Sequence, residues 1–121
     1  MRKEIMNYLL ILNDPPYGTE RSYNGLRLAN ELAKDEKNTV KLFLIGDAAA
    51  CGVAGQTTPN GYYNIERMLK ALISKHSKIG ICGSCMDARG IKSEAIMEGA
   101  HRSTMSELTG WTQEADKVIV F

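Results

Sequence analysis

Four short, largely apolar runs divide this chain, and longer amphipathic stretches lie between them. The runs cover residues 8–12, 40–45, 79–82 and 118–121. Such runs are typical of strands in a parallel sheet whose two faces are both covered by helices. Helical spacing of apolar residues, and in the last case a capping box, predicts helices at about residues 20–36, 65–75 and 104–115. Strands that alternate with helices in this way indicate an α/β fold.

Size and charge narrow the classes of function. With 121 residues, the chain is predicted to form one domain over residues 1–121. The net charge of +1 argues against nucleic acid as a partner, because a duplex-binding domain normally carries a basic patch. No apolar stretch approaches the roughly 18 residues that a membrane helix needs, so no membrane partner is expected.

The chain contains three cysteines, Cys51, Cys82 and Cys85. A secreted domain held by disulfides is normally richer in cysteine and contains an even number. The apolar run at residues 8–12 is also too short for a secretory signal. We therefore expect a cytoplasmic protein with reduced thiols, and the functional question is what these thiols do.

Polar or reactive residues stand at the ends of three predicted strands. They are Asp14, Asp47 and Cys82. Right-handed crossovers bring the carboxyl ends of parallel strands to one edge of the sheet, and ligands of open α/β sheets bind just outside that edge. We therefore expect these residues to lie near the binding crevice. Each aspartate is equally consistent with a role in capping the turn that follows it.

The stretch between residues 47 and 64 is Gly-rich and is predicted to be a loop, with a short helical turn at residues 48–51. Loops of this length in a compact domain are usually functional or take part in interactions. Beyond a helical turn expected after Cys82, no element is assigned up to Gly99.

Cys82 and Cys85 form a Cys-x-x-Cys motif where a strand ends and a helical turn is expected to begin. Free N–H groups and the helix dipole at such a position lower the pKa of a thiol and favour the thiolate. Arg89, four residues after Cys85, adds positive charge. Three interpretations are open: nucleophilic or sulfur-carrying chemistry by one thiolate, a dithiol/disulfide redox pair, or half of a metal site.

The surrounding sequence bears on these alternatives. No second cysteine pair completes a zinc site, and His76 and His101 are isolated in the sequence. Thioredoxin-like motifs follow the first strand of their fold, whereas this one follows the third. Two inert buried thiols are the simplest alternative. The neighbouring residues are unusually polar and flexible for a core: Gly83, Ser84, Asp87, Arg89 and Gly90.

The rest of the sequence contains no further motif that points to a reaction or a cofactor. Cys51 stands in an Ala-rich stretch and is interpreted as a packing residue that lies in the core or faces another subunit. Neither Gly-x-Gly-x-x-Gly nor Gly-x4-Gly-Lys-Ser/Thr occurs, so nucleotide binding has no support and no cofactor is expected.

Several motifs, taken in order along the chain, resemble the DsrE/DsrF-like family, and its YchN-type members most of all. They cover almost the whole chain: NDPPYGTE at residues 13–20, FLIGDAA at 43–49, GYYNI at 61–65, CGSCMDARGI at 82–91 and ELTGWTQEADKVIVF at 107–121.

The resemblance implies a three-layer αβα sandwich with a mainly parallel five-stranded sheet, assembled as a homotrimer or homohexamer. In sulfur-relay members, the cysteine eight residues before the Gly of an Arg-Gly pair carries sulfur as a persulfide, and counting back from Gly90 that position is Cys82. Cys85 is then the additional cysteine of the YchN-like group. Relay members work with other proteins, so sulfur donor and acceptor proteins are the expected partners.

Two hypotheses of different classes follow. In the first, the chain is a sulfurtransferase-like carrier, with Cys82 as nucleophile, Cys85 as possible resolving thiol and Arg89 as the charge that tunes them. The predicted binding residues around them are Asp14, Asp47, Gly83, Ser84 and Gly90. In the second, the chain is an oligomeric module that binds a small ligand or a protein without turnover, and its thiols have ordinary reactivity.

Overall fold

The computed structural model of the chain describes residues 4–121. Its strands and α-helices are β1 (Met6–Leu12), α1 (Arg21–Ala33), β2 (Asn38–Leu44), α2 (Ile65–Ser74), β3 (Lys78–Cys82), α3 (Gly83–Ala88), β4 (Ala100–Ser103), α4 (Met105–Glu114) and β5 (Lys117–Val120). Two 3₁₀ segments, Gly46–Gly52 and Ser93–Ala95, complete the regular structure.

The strands form one five-stranded sheet in the order β4-β3-β2-β1-β5. Every neighbouring pair is parallel. The α/β fold with a parallel five-stranded sheet is therefore confirmed. Because all strands run the same way, the ends of β1, β2 and β3 meet at one edge of the sheet.

Alternate residues of each strand face opposite layers of helices, as the two-residue period of a strand requires. On one face, Leu10, Leu42 and Ile79 pack with residues of α1, α2 and α3. On the other face, Leu9 and Phe43 pack with α4. The molecule consequently has three layers, with α1, α2 and α3 on one side of the sheet and α4 on the other.

The strand β4 is the element that the residue pattern did not predict. Its sequence, Ala-His-Arg-Ser, has neither an apolar run nor an apolar alternation. It forms because its backbone hydrogen-bonds to the edge of β3, in a register that sets Cys82 opposite Ser103. The five-stranded sheet that the family resemblance implied includes this strand, and its pairing partner lies far from it in the sequence.

The Gly-rich loop that follows the first 3₁₀ segment is held by side-chain hydrogen bonds. One carboxylate oxygen of the buried Glu66 accepts the backbone N–H groups of Gly55 and Gln56, at 3.0 and 2.8 Å. The amide of Gln56 donates to the carbonyls of Cys51 and Val53, each at 2.9 Å. These bonds tie the loop to the start of α2. The short helical turn predicted at residues 48–51 is confirmed as part of the 3₁₀ segment.

None of the helices within residues 4–121 is both long enough and apolar enough to cross a bilayer.

Candidate functional site

The two cysteines of the Cys-x-x-Cys motif lie at the edge where β1, β2 and β3 end. Cys82 is the last residue of β3 and the N-cap of α3, and Cys85 lies in the first turn of that helix. The helix begins at Gly83, directly after the last residue of the strand. This arrangement was predicted from the spacing of the motif and the end of the apolar run.

The sulfur atoms of the pair are in direct contact. Cys85 donates its S–H to the sulfur of Cys82, and the two sulfurs are 2.7 Å apart. Both thiols are free, and a disulfide bond is about 2.05 Å long. The backbone N–H of Gly46, the first residue of the 3₁₀ segment after β2, donates in turn to the sulfur of Cys85 at 3.1 Å. A chain of hydrogen bonds thus runs from this segment through Cys85 to Cys82.

The pKa values of the two thiols shift in opposite directions. Burial raises the pKa of the Cys82 thiol, but hydrogen bonds from the Cys85 thiol, the Ser84 hydroxyl and the backbone N–H groups of both residues outweigh it and lower the pKa overall. The Ser84 oxygen lies 3.4 Å from the Cys82 sulfur. Burial and the hydrogen bond given to Cys82 raise the pKa of Cys85. Cys82 is therefore the thiol that ionises first.

Arg89 lies on the Cys85 side of the pair. Its Nε and Nη2 donate to one carboxylate oxygen of Asp47 at 3.1 and 2.8 Å, and its Nη1 donates to the carbonyl of Cys85 at 3.1 Å. Its charge opposes the increase in the pKa of Cys85. The structure thus brings two predicted site residues, Arg89 and Asp47, to the cysteine pair, beside Cys85.

The other predicted binding residues occupy different places. Gly83 and Ser84 form the first turn of α3 against Cys82, whereas Gly90 ends the helix with a φ of +66°. Asp14 belongs to the turn before α1, where its carboxylate accepts the Thr19 hydroxyl at 2.8 Å. For Asp14, the structure gives the turn-capping arrangement that the sequence left open.

The third cysteine is part of the hydrophobic core. Cys51 is completely buried, next to the turn that contains Asp14, whose carbonyl lies 3.7 Å from its sulfur. Burial raises the pKa of Cys51 to about 12, so this thiol remains protonated at neutral pH. It packs inside the chain and has no part in the site at the sheet edge.

Residues of β4 lie beside Cys82, and the sequence did not single them out for the site. Arg102 extends over Gly83, where a Cβ built on the glycine would lie 2.9 Å from the guanidinium carbon. Both of its terminal nitrogens donate to the carboxylate of Asp87, at 2.8 Å each. Only the pairing of β4 with β3 brings Arg102 to this position, so no local signal in the sequence points to it.

A second polar group lies where β4 meets α4. The carboxylate of Glu107, in the first turn of α4, accepts the hydroxyl of the buried Ser103 at 2.5 Å and is hydrogen-bonded to the ring of His101. Thr104 caps α4 as predicted, through the Glu107 N–H at 3.1 Å. His101 thus has a carboxylate partner. Across residues 4–121, the structure has no cluster of three or more His, Cys, Asp or Glu side chains that is arranged to bind a metal.

Comparisons with known proteins agree with this fold and with the motifs around the cysteines. The sequence profile of the DsrE/DsrF-like family matches residues 6–121. The protein YchN of Escherichia coli K12 is 40% identical over 114 residues, which are 93% of this chain and 97% of YchN. An uncharacterized protein of Methanopyrus kandleri is 38% identical over 112 residues, covering 93% of this chain and 91% of its own length.

Solved structures give the same result. The crystal structure of YchN from Escherichia coli superimposes with a TM-score of 0.91 at 36% identity, covering 97% of this chain and all of that one. A protein of unknown function from Methanobacterium thermoautotrophicum has a TM-score of 0.73 at 12% identity, covering 96% of this chain and 99% of its own, and shares the fold. The chain therefore belongs to the DsrE/DsrF-like family.

Proposed function

We propose that the chain carries sulfur as a persulfide on Cys82 and passes it to an acceptor thiol. Membership of the DsrE/DsrF-like family gives it a fold related to that of sulfur-relay proteins. The observation that carries the proposal is the convergence of hydrogen bonds on the Cys82 sulfur, with Cys85 as S–H donor at 2.7 Å. These bonds favour the thiolate, which is the nucleophilic form of cysteine.

Loading is a thiol exchange. The Cys82 thiolate attacks the outer sulfur of a donor persulfide, R–S–SH, and the bond between the two donor sulfurs breaks. The products are Cys82–S–SH and the donor thiolate R–S⁻, so no external oxidant or reductant is consumed. Delivery is the same reaction in the opposite sense: an acceptor thiolate takes the outer sulfur and Cys82 leaves as a thiolate. Donor and acceptor are in this proposal thiol-containing partner proteins.

Cys85 provides a second outcome for the loaded sulfur. If its thiolate attacks the inner sulfur of Cys82–S–SH, a Cys82–Cys85 disulfide forms and hydrosulfide, HS⁻, leaves. The raised pKa of Cys85 keeps it protonated at neutral pH, which disfavours this attack while the persulfide waits for an acceptor. A dithiol reductant is then needed to return the disulfide to two thiols.

Intact-mass spectrometry of the wild-type protein tests sulfur loading. After incubation with a low-molecular-weight persulfide and removal of the excess, we expect an added mass of about 32 Da, one sulfur atom, that a thiol reductant removes. Alkylation rates measured against pH complement it, because the proposal requires one thiol that ionises below the usual range near 8.5. An unchanged mass together with ordinary thiol reactivity would instead favour a binding module without sulfur transfer.

We also propose that the chain forms a homotrimer or homohexamer through the sheet face that α4 leaves open. We name this surface the β5 patch and define it by Ile11, Ile45, Val118 and Val120. Val118 and Val120 are 41% and 59% exposed, and β1 pairs with β5 so that Ile11 lies opposite Val120. Ile11 and Ile45 also pack against the cluster that contains Cys82. Contact through the β5 patch therefore places another subunit close to the reactive thiol.

Substitution of Val120 with lysine tests this assembly. Burying an unpaired ammonium group in an apolar interface is strongly unfavourable, so we expect the mass measured by light scattering to fall from three or six chains to one. The fold is expected to remain intact because this side chain is mostly exposed in the single chain. The matched control is Tyr62→Lys, at an exposed apolar residue outside the β5 patch. A Val120→Lys protein that keeps the wild-type mass contradicts the proposed interface.

A further inference from the structure

Arg102 is the cationic side chain on the Cys82 side of the site. It belongs to β4, next to Ser103, which pairs in register with Cys82. Its guanidinium lies against the backbone of Gly83, where any Cβ would come within 2.9 Å of it. The absence of a side chain at Gly83 thus allows a positive charge to approach the residue that directly follows Cys82.

A two-pronged ion pair holds this guanidinium in place. Nη1 and Nη2 of Arg102 each donate to a different oxygen of Asp87, both at 2.8 Å. The bidentate geometry restrains a long side chain that is 44% exposed. Asp87 lies in α3, the helix whose N-cap is Cys82, so the ion pair links β4 to this helix close to the Cys82 backbone.

The two arginines of the site are divided between the two thiols. Arg89 uses its donors on Asp47 and on the carbonyl of Cys85, and its charge acts on Cys85. Arg102 packs against Gly83, next to Cys82, and its charge interacts with Cys82. The sequence pointed to Arg89 alone, because Arg89 is close to the motif along the chain and Arg102 is not.

We propose that Arg102 is the positioning residue for the anionic sulfur on Cys82, both as a thiolate and as a persulfide, and that Arg89 serves Cys85. This inference rests on the proposed function for the persulfide, but its claim about the thiolate is independent of sulfur transfer. Because its guanidinium is partly exposed, the arginine also meets anionic reagents that approach Cys82, so the site favours a negatively charged sulfur donor over a neutral one.

The other charged or titratable groups near Cys82 have partners of their own, and a test of Arg102 has to take them into account. Cys85 faces it from α3, and Asp87 is occupied by Arg102. Glu107 and His101 form their own pair on β4 and α4. Arg89 and Asp47 pair beside Cys85. Of the cations among these groups, Arg102 is the one that packs against Gly83, the residue next to Cys82, and its charge interacts with Cys82.

Alkylation kinetics of Cys82 test the assignment. In a Cys85→Ser background Cys82, which is 7% exposed, is the remaining thiol with any exposed surface, because Cys51 is fully buried. We expect Arg102→Gln to raise the pKa in the rate–pH profile and to slow alkylation by iodoacetamide at pH 7 about two- to fivefold, the modest range of a solvent-screened ion pair. Arg102→Lys is expected to retain part of the rate. The control Arg67→Gln removes the same charge on α2 and is expected to change nothing.

A second comparison separates charge from structure. The rate with anionic iodoacetate, relative to neutral iodoacetamide, is expected to fall in Arg102→Gln and to fall with added salt in the parent protein. Asp87→Asn loosens the guanidinium but leaves its positive charge near Cys82, so it is expected to slow Cys82 less than Arg102→Gln does. Equal slowing by Asp87→Asn and Arg102→Gln, or an unchanged profile in Arg102→Gln, overturns the assignment. These assays measure the ionisation of the Cys82 thiol and not its loading with sulfur. Their outcome is therefore independent of the mass-spectrometric test of the proposed function.

Discussion

Replacing Cys82 with serine is expected to abolish sulfur loading, whereas replacing Cys85 with serine is expected to preserve it. A serine hydroxyl does not ionise at neutral pH and cannot attack a persulfide, so Cys82→Ser removes the nucleophile. Cys85 remains in that variant but is protonated, since burial raises its pKa. We therefore expect the added mass of about 32 Da to fall to background in Cys82→Ser.

The Cys85→Ser variant provides the matched comparison. Its serine hydroxyl keeps a donor beside Cys82, but it cannot form the disulfide that expels hydrosulfide. We expect this variant to acquire the adduct and to hold it longer than the wild-type protein, with little hydrosulfide released. The measurement is a time course of intact mass with a parallel assay of released sulfide. A persistent adduct in Cys82→Ser contradicts the assignment of Cys82 as the sulfur carrier.

The second large effect concerns stability and is expected at Trp111. This side chain is 7% exposed and attaches α4 to the sheet, with its ring edge-on to Phe43 at a centroid distance of 6.4 Å. Gly80 of β3 lies beneath it, and a Cβ there would be only 3.1 Å from the indole. The nitrogen of Lys41 lies 5.6 Å from the ring centroid on the same side. Together with Leu108, Trp111 therefore forms the apolar contact between α4 and the sheet.

We expect Trp111→Ala to lower the free energy of unfolding by about 3–5 kcal/mol, the range for truncating a buried Trp or Phe. This is a large fraction of the roughly 5–15 kcal/mol that stabilises a typical domain. Denaturant unfolding followed by circular dichroism measures it. The control Gln113→Ala removes an exposed side chain of the same helix and is expected to stay within about 0.5 kcal/mol of wild type. A similar small loss for Trp111→Ala contradicts the packing role.

The accuracy of the sequence-based predictions differed between elements for physical reasons. The strands β1, β2 and β3 were predicted to within a few residues because a central strand of a parallel sheet must be apolar along its length. The edge strand β4 need not be apolar along its length, and it contains His101 and Arg102. Its strand conformation depends on hydrogen bonds to β3, which local composition does not encode.

At the candidate site, local sequence likewise predicted the position of the thiols but not the groups that surround them. The sequence by itself determined that two thiols stand at a strand end where a helix begins, because strand period, turn residues and motif spacing are local properties. Only the tertiary structure decided that Cys85 donates to Cys82 and that Arg102 accompanies Cys82 while Arg89 accompanies Cys85. The reason is that hydrogen bonds and short-range charge interactions depend on distances of a few ångströms, and these distances are set by how distant segments pair and pack.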